Sequence, residues 1–372
     1  MVKVGINGFG RIGRIAFRIA MLKHLEDLQI AAINTSGSMP ASGWAHLVNF
    51  DTMYRKFDLE VKAEEIKDPK DVTDEDPLIG YLTIPNRNIK VPVLAQKDPE
   101  KLPWAKYGVE VVIESTGRFT SQEDAKKHAI GGAKRVIISA PSKGGNVGTY
   151  VIGVNEIQGI PEVISNASCT TNCVAPVAAV IHANFGVEKA AITTAHGYTD
   201  DQNLQDNSHK DLRRARAAAE NIVPTSTGAA IAVTETIPEL KGLFDGTAMR
   251  VPVATGSITD FTFVVKRPVT IEEVNQAFKN AESNPIYKGI LATSELPLVS
   301  SDIIGRSESA IVDLPLTQVI AGNLVKVFAW YDNEWGYANR LLEQVVRVGR
   351  TIETATIPTD PLTLSFKPVT VK

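Results

Sequence analysis

The segment Val2–Arg14, VKVGINGFGRIGR, joins a short apolar strand, predicted over Val2–Asn7, to an amphipathic helix predicted over Arg14–Leu25. A G-x-G-x-x-G pattern between a strand and a helix is the fingerprint of a dinucleotide-binding fold. Its first glycine makes the turn, the second lets the backbone approach a pyrophosphate, and the third lets helix and strand pack closely. A purely structural glycine turn is the less favoured interpretation. We therefore predict nucleotide contacts from Gly8, Phe9, Gly10, Arg11, Ile12 and Gly13.

Alternating strands and helices continue along the first part of the chain. Apolar runs predict strands at Ile30–Asn34, Val109–Ser115 and Arg135–Ser139, and Ser121–Ile130 has the pattern of a helix. This alternation is typical of a parallel, Rossmann-type α/β domain. The charged stretch Lys62–Asp76 lacks apolar periodicity, which indicates a solvated surface excursion. Ligands bind such sheets where the strands end, so further cofactor contacts are expected from Asn34, Thr35, Ser36, Ser115, Thr116, Gly117 and Ser139.

The cofactor type is indicated by the residues that follow the second strand. NAD enzymes place Asp or Glu there to bind the adenosine ribose. This chain has Asn34-Thr35-Ser36-Gly37 and no carboxylate. Hydroxyl groups can donate to a 2′-phosphate that a carboxylate would repel. The sequence therefore favours NADP, or the use of both NADP and NAD.

A second motif, SNASCTTNCVAPV at Ser165–Val177, contains both cysteines of the chain. A short β-like run precedes it, and Ala175–Asn184 is apolar enough to be a buried helix. Cys169 is therefore expected at a strand-to-helix turn, where free N–H groups and the helix dipole make a thiol ionise more readily. Buried free cysteines are more often packing residues. The polar context nevertheless favours Cys169 as a nucleophile and leaves Cys173 to pack.

The chain after Cys169 has a different character. Long strands at Ala190–Ala195, Ala248–Pro252, Ser257–Val265 and Leu324–Tyr331 predict an α+β catalytic domain with a largely antiparallel sheet. The amphipathic stretch Glu334–Thr351 predicts a helix that docks on another element.

A thiol nucleophile needs a base and a substrate site. His196 follows a predicted strand and precedes a polar loop, which favours it as the base over a structural histidine. Guanidinium and hydroxyl groups nearby in the sequence can bind anions. A nucleic-acid patch is the rejected alternative, because the basic run has no interleaved aromatic residues. The candidates are Ser168, Thr170, Thr199, Thr227, Arg213, Arg214, Arg216 and Arg250.

Composition excludes several classes of protein. A net charge of −3 in 372 residues gives no general attraction to nucleic acid or membranes. Two cysteines cannot form a disulfide framework, and no cysteine and histidine spacing resembles a metal site. No apolar run is long enough to span a membrane, and a cytosolic location is expected.

Several long motifs together resemble phosphorylating glyceraldehyde-3-phosphate dehydrogenases. They are NGFGRIGR at 7–14, SNASCTTNC at 165–173, TTAHGYTDDQ at 193–202, HKDLRRARAAAENIVPTSTGAA at 209–230 and WYDNEWGYANR at 330–340. The resemblance implies a Rossmann domain over 1–168 that is completed by the C-terminal helix 335–372, a catalytic domain over 169–334, and a homotetramer. It also implies a small phosphorylated aldehyde and inorganic phosphate as substrates.

The same resemblance assigns roles to residues. It implies that Cys169 attacks the aldehyde, that His196 is the base and that Asn333 orients the nicotinamide. It places the phosphate anchors at Ser168, Thr170, Thr199, Arg213 or Arg214, Thr227, Gly228 and Arg250.

The chain departs from NAD-type members at Thr35 and at Asn207-Ser208, where they carry Asp and Leu-Pro. In NADP-using members a serine at the place of Ser208 reaches the neighbouring subunit's cofactor site. Two alternatives stay open: an erythrose-4-phosphate dehydrogenase, and a binding protein that has kept the fold without the activity.

Overall fold

The computed structural model describes residues 1–159 and 161–355. The part that precedes Cys169 contains eleven strands and three α-helices. They are β1 (Val2–Asn7), α1 (Arg11–Lys23), β2 (Leu28–Asn34), α2 (Ala41–Asn49), β3 (Phe50–Asp51), β4 (Arg55–Lys56), β5 (Lys62–Glu65), β6 (Leu78–Ile84), β7 (Ile89–Leu94), β8 (Val111–Glu114), α3 (Gln122–Ile130), β9 (Arg135–Ile138), β10 (Gly148–Thr149) and β11 (Val163–Ser165).

Nine of these strands form one sheet in the order β10-β11-β9-β8-β1-β2-β7-β6-β5. All neighbours from β10 to β7 are parallel, whereas β6 and β5 are antiparallel additions at one edge. The chain reverses its direction of travel across the sheet between β1 and β8, the position where such sheets bind ligands. The predicted parallel Rossmann-type sheet is confirmed.

The predicted surface excursion at Lys62–Asp76 is partly wrong. Its first residues, Lys62–Glu65, form the edge strand β5, which pairs with β6. An edge strand pairs on one side only and keeps its charged side chains in water, so it shows no apolar periodicity. Most of the remaining excursion is exposed, as expected.

The second part of the chain forms a mixed sheet with helices against it. Its elements are α4 (Cys169–Phe185), β12 (Val187–Gly197), β13 (Val223–Ser226), α5 (Ala229–Thr236), β14 (Phe244–Val251), β15 (Ser257–Val265), α6 (Ile271–Glu282), β16 (Leu291–Ser294), β17 (Ala310–Asp313), β18 (Gln318–Ile320), β19 (Leu324–Tyr331) and α7 (Trp335–Ala355). The order β13-β14-β12-β15-β19-β17-β16 is antiparallel except for the pairs β14–β12 and β17–β16. The largely antiparallel sheet is confirmed.

Two helices begin earlier in the chain than the sequence predicts. Helix α1 begins at Arg11 rather than Arg14, because Gly10 already forms its N-cap. Helix α4 begins at Cys169 rather than Ala175, because the Ser168 hydroxyl accepts a hydrogen bond from the Thr171 N–H and caps the first turn. Cys169 therefore occupies the first helical position.

Helix α7 packs against α1 and joins the core of the first part of the chain. Its residues Leu341, Leu342, Val345 and Val348 are buried in that core, which confirms the predicted docking. The expected continuation of the helix to residue 372 lies outside the described residues after Ala355. Among the described helices, none combines the length and apolar character needed to cross a bilayer.

Candidate active site

The thiol of Cys169, the first residue of α4, faces the imidazole of His196, near the end of β12. Sγ of Cys169 lies 3.3 Å from Nε2 of His196. Ala167, two residues before the cysteine, has a left-handed backbone with φ of 56°, which turns the chain sharply from β11 into α4. The predicted strand-to-helix position of Cys169 is confirmed, and Cys173 is fully buried as expected.

The hydrogen bonds of His196 determine which ring nitrogen carries the proton. Nδ1 lies 2.6 Å from the carbonyl oxygen of Gly197, and a carbonyl oxygen can only accept. The neutral ring therefore carries its proton on Nδ1 and presents the lone pair of Nε2 to the thiol. This is the tautomer that a base acting on Cys169 requires.

Burial controls the protonation of both groups. It lowers the pKa of His196 to about 4, with help from the positive charge of Arg250. Burial also raises the pKa of the Cys169 thiol above its usual value, although Arg250 and hydrogen bonds from Thr170 oppose the shift. The direction of this pKa shift is opposite to the one expected from a helix start. Both pKa shifts favour the neutral forms of the thiol and the imidazole.

A cluster of anion-binding groups adjoins this pair. Arg250 on β14 stands opposite His196 in the sheet register, and its guanidinium donates to the hydroxyl of Thr199. Arg214 donates to Asp201 at 2.5 Å and to Thr225 at 2.7 Å. Asp201 also lies 3.7 Å from Arg250, so one carboxylate partly neutralises both guanidiniums.

The geometry separates the arginines that the sequence could not. Arg214 belongs to the cluster through Asp201, whereas Arg216 pairs with Asp206 away from it. The guanidinium of Arg213 forms no ion pair among the residues that the structure describes.

Other candidate anchors are already engaged. The Ser168 hydroxyl caps α4, and the Thr170 hydroxyl shares a hydrogen bond of 2.8 Å with the Tyr331 hydroxyl. Thr227 accepts from the N–H of Ala229, and Gly228 forms the N-cap of α5 without a side chain. The hydroxyls of Ser168 and Thr170 therefore already have hydrogen-bond partners within the protein.

The glycine-rich turn fits a dinucleotide phosphate. A methyl group added at Gly10 would meet nothing within 4 Å, whereas one at Gly13 would lie 2.2 Å from the carbonyl oxygen of Gly8. No side chain caps the start of α1, so its first N–H groups can bind an anion. Gly10 therefore opens a cradle for the phosphates, and Gly13 allows the helix to approach the turn.

The side chains around this turn are structural. Phe9 is buried against Phe17 and Trp44, and Ile12 packs on the same core. The guanidinium of Arg11 is bound by Asp51 and Glu334, each at 2.5 Å. Only the backbone of Phe9, Arg11 and Ile12 remains for the expected cofactor contacts.

At the adenosine end, the structure weakens the sequence argument for NADP. The Thr35 hydroxyl donates to the carbonyl oxygen of Leu94 at 3.0 Å, and the Asn34 amide is hydrogen-bonded to Asn7 and Gln96. Neither side chain is free to donate to a 2′-phosphate. Ser36 is exposed and its hydroxyl is hydrogen-bonded to that of Ser38 at 2.9 Å. The hydroxyls left as possible donors to a 2′-phosphate are therefore those of Ser36 and Ser38 rather than those of Thr35 and Ser36.

The remaining cofactor candidates lie along the strand ends. Ser115, Thr116 and Gly117 follow β8 beside the Gly8 turn, where the Ser115 hydroxyl donates to the Gly8 carbonyl oxygen at 2.8 Å, and Ser139 follows β9. Ser208 lies in the exposed loop 199–222, and its hydroxyl forms no hydrogen bond within residues 1–159 and 161–355.

Asn333 stands between β19 and α7. Its Oδ1 atom accepts from the N–H of Gly256 at 3.1 Å and from the hydroxyls of Thr255 and Ser257. Its Nδ2 group has no partner in the described part of the chain, although the residue is buried. The amide is therefore fixed by its oxygen and has a donor free for a ligand.

Sequence reasoning missed two residues of this site. Tyr331 packs its ring edge-on against His196, with ring centroids 6.0 Å apart, and binds Thr170. Asp201 links Arg214 and Arg250. Their signal was weak, because only the fold brings β19 and the loop to Cys169. The described residues contain no group of three metal-ligating side chains.

Comparison with known proteins places the chain in a family. The family description "Glyceraldehyde 3-phosphate dehydrogenase, NAD binding domain" matches residues 2–122, and "Glyceraldehyde 3-phosphate dehydrogenase, C-terminal domain" matches residues 168–333. The glyceraldehyde-3-phosphate dehydrogenase of Streptomyces coelicolor is 49% identical over 94% of this chain and 99% of its own length. That of Geobacillus stearothermophilus is 48% identical over 92% of this chain and 96% of its own. The chain belongs to the glyceraldehyde 3-phosphate dehydrogenase family.

Proposed function

We propose that this glyceraldehyde-3-phosphate dehydrogenase uses Cys169 as its nucleophile and His196 as its base. The observation that carries the proposal is the distance of 3.3 Å between Sγ and the lone pair of Nε2. Because the pKa shifts favour the neutral forms of both groups, His196 takes the thiol proton as Sγ attacks the aldehyde carbon of glyceraldehyde 3-phosphate. The imidazolium then protonates the carbonyl oxygen, which gives a hemithioacetal on Cys169.

The second half of the reaction reuses the same base. A nicotinamide dinucleotide held by the Gly8–Gly13 turn and by Asn333 would supply the hydride acceptor. His196 takes the hydroxyl proton of the hemithioacetal, which becomes a thioester. Inorganic phosphate then attacks the thioester carbon and expels the Cys169 thiolate, which takes the proton back from the His196 imidazolium, and the product is an acyl phosphate, 1,3-bisphosphoglycerate.

Arg250, Thr199 and Arg214 are the proposed phosphate anchors. Asp201 contacts the guanidiniums of both Arg214 and Arg250. An incoming phosphate would compete with this carboxylate for the two guanidiniums. We assign supporting positions to Thr227 and Gly228, which lie at the start of α5. Arg214, rather than Arg213, is our choice from the basic run.

The backbone of Gly8–Gly13 and the free amide group of Asn333 are the proposed cofactor contacts. For the cofactor itself we propose dual use of NAD and NADP, because no carboxylate follows β2. The Thr35 hydroxyl already donates to the Leu94 carbonyl oxygen, which argues against strict NADP use. Ser36 and Ser38 are the remaining donors within this subunit, and Ser208 could act across a subunit interface.

We further propose the division into a cofactor domain, 1–168 with 335–372, and a catalytic domain, 169–334. A homotetramer is proposed from family membership and from exposed apolar side chains in the loop that carries Ser208. Two free cysteines fit a reducing compartment, and we propose the cytoplasm.

The reaction is tested by measuring NAD reduction with glyceraldehyde 3-phosphate in the presence and absence of inorganic phosphate. Phosphate-dependent turnover that yields an acyl phosphate supports the proposal. Faster, phosphate-independent oxidation of erythrose 4-phosphate would contradict it, and so would the absence of any reduction. A kcat/KM that favours NAD over NADP by a hundredfold or more would contradict dual cofactor use.

A further inference from the structure

A network of buried polar side chains crosses the first sheet beneath the strand ends that form the dinucleotide cleft. At its centre is Glu114, the last residue of β8, which is 1% exposed. Its neighbours come from α3, from β1 and from the loop after β8. The mechanism described above uses none of its side chains, although the network contains both a carboxyl group and an imidazole.

The direction of each hydrogen bond on one side follows from an indole. The Trp104 Nε1 group can only donate, and it lies 3.0 Å from Nδ1 of His128. Nδ1 is therefore the acceptor, and the proton of the neutral ring is on Nε2. Nε2 lies 3.0 Å from Oε2 of Glu114, so His128 donates to this carboxylate.

On the other side the directions follow from the backbone of Gln96. Its N–H donates to Oδ1 of Asn34, which identifies the amide nitrogen of Asn34 as the donor to Asn7. Oδ1 of Asn7 is thereby the acceptor, and Nδ2 of Asn7 donates to Oε2 of Glu114 at 2.5 Å.

The second carboxylate oxygen is bound by Thr116. Both the N–H and the hydroxyl of Thr116 contact Oε1 of Glu114. The hydroxyl accepts from the N–H of Arg118, so its own proton is available for the carboxylate. Glu114 thus receives four donors on its two oxygens, which fills the acceptor capacity of a carboxylate.

We propose that Glu114 is a positioning residue of the dinucleotide site, which fixes Asn7 and Thr116 on either side of the Gly8 turn. Asn7 directly precedes this turn, and the N–H of Thr116 lies 2.7 Å from where a side chain at Gly8 would begin. One buried carboxylate therefore ties the turn to the loop after β8, and Asn7 extends the tie to the end of β2. The proposal rests on the proposed cofactor site.

The isosteric change Glu114→Gln tests the proposal. The amide keeps the shape but brings two donors to a position where four donors already converge, so the walls of the cleft must separate. We expect the Kd of NAD, measured by isothermal titration calorimetry, to rise about tenfold or more, and the KM of NAD to rise with it. The kcat at saturating NAD and the alkylation rate of Cys169 without NAD should stay within about threefold.

The matched control is Glu110→Gln, which removes a carboxylate at the other end of the same strand, just before β8 begins. Glu110 pairs with Lys134 there, so NAD binding should not change. Calorimetry does not need turnover. A wild-type chain that binds NAD but oxidises no aldehyde would refute the proposed reaction and leave this test intact.

His128 supplies a second test that holds even if Glu114→Gln does not fold. His128→Leu removes the donor to Glu114, whereas His128→Gln can both donate to Glu114 and accept from Trp104. We expect the first variant to weaken NAD binding about tenfold and the second to restore it to within about threefold. Wild-type affinity in folded Glu114→Gln or in His128→Leu would overturn the proposal. A lower kcat with an unchanged Kd would overturn it as well.

Discussion

Two cysteines one helical turn apart have very different surroundings. Cys169 contacts His196, whereas Cys173 is fully buried and its thiol lies 4.0 Å from the Ala329 carbonyl oxygen. We expect Cys169→Ser to lower turnover by about 10⁴-fold or more, because a serine hydroxyl is a far weaker nucleophile. Cys173→Ser should keep most of the turnover and lose about 1–3 kcal/mol of stability, because it buries a hydroxyl. An inactive Cys173→Ser beside an active Cys169→Ser would refute the assignment.

The burial of the His196 imidazole makes the stability of the protein depend on pH. Burial lowers the pKa of His196 to about 4 in the folded protein, whereas an unfolded chain has a histidine pKa of about 6.5. As the pH falls below 6.5, the unfolded state binds a proton that the folded state does not bind until about pH 4. Stability is therefore lost through this window, by about 2 kcal/mol at pH 5 relative to pH 8.

Urea unfolding of the wild type and of His196→Asn at pH 8 and pH 5 measures this effect. The wild type should lose about 2 kcal/mol more than the variant on acidification. His46→Asn, a change on the exposed surface of α2, serves as the control and should lose as much as the wild type. Equal losses in wild type and His196→Asn would contradict a buried, neutral imidazole.

Two glycines of one turn have separable roles at the scale of the element. Gly13→Ala places a methyl group 2.2 Å from the Gly8 carbonyl oxygen, so α1 must move away from β1 at a cost of about 1–3 kcal/mol. Gly10→Ala meets no atom within 4 Å, and its φ of −72° suits alanine. We expect it to lower stability by about 1 kcal/mol or less, through the poorer N-cap.

Dinucleotide binding should separate the same two variants. Gly10→Ala should raise the Kd of NAD at least about tenfold, because the methyl group stands where the pyrophosphate approaches. Thermal unfolding and calorimetric titration of the two variants make the comparison. A destabilised Gly10→Ala that binds NAD normally would refute the roles given to these glycines.

The elements that the sequence predicts well are those with local signals. The glycine-rich turn and the apolar strands around it belong to this class, and β1 agrees with its predicted bounds. The start of α4 was misplaced, because its first turn is polar and yet buried: Thr171 and Asn172 are 0% and 2% exposed. Their side chains bind the turn before the helix: Nδ2 of Asn172 donates to the carbonyl oxygens of Asn166 and Ser168, and the Thr171 hydroxyl shares a hydrogen bond with that of Ser168.

Parts of the site depend on partners far away in the sequence. The Thr35 hydroxyl looked free for a cofactor, but the Leu94 carbonyl oxygen, 59 positions later, accepts its hydrogen bond. Desolvation of Cys169 likewise raises the pKa of its thiol, opposite to the shift expected from a helix start. Strand ends and a polar motif single out Cys169 and His196 in the sequence, and the structure brings their side chains to within 3.3 Å of each other.

At the scale of the whole molecule, α7 connects the two parts of the chain. The Tyr337 hydroxyl donates to the Ala167 carbonyl oxygen at 3.0 Å, in the turn before the nucleophile. Glu334, beside the start of the same helix, binds Arg11 at the glycine-rich turn. Cys169 and the glycine-rich turn are therefore fixed relative to each other through one helix.

The loop 199–222 exposes leucine side chains that predict an assembly of several chains. Leu204 and Leu212 are each 80% exposed, although the loop is internally ordered by the hydrogen bond from the Asn203 N–H to the Arg214 carbonyl oxygen. Ordered, exposed leucines are expected to be covered by a second copy of the chain, where each contributes about 1.5–3 kcal/mol on burial. Light scattering should give the mass of four chains for the wild type and a smaller species for the double variant Leu204→Lys, Leu212→Lys. The control, Leu296→Lys, changes a leucine that is 65% exposed elsewhere on the surface and should leave the mass unchanged. A tetrameric double variant would show that this loop does not hold the assembly together, and a monomeric wild type would refute the tetramer itself.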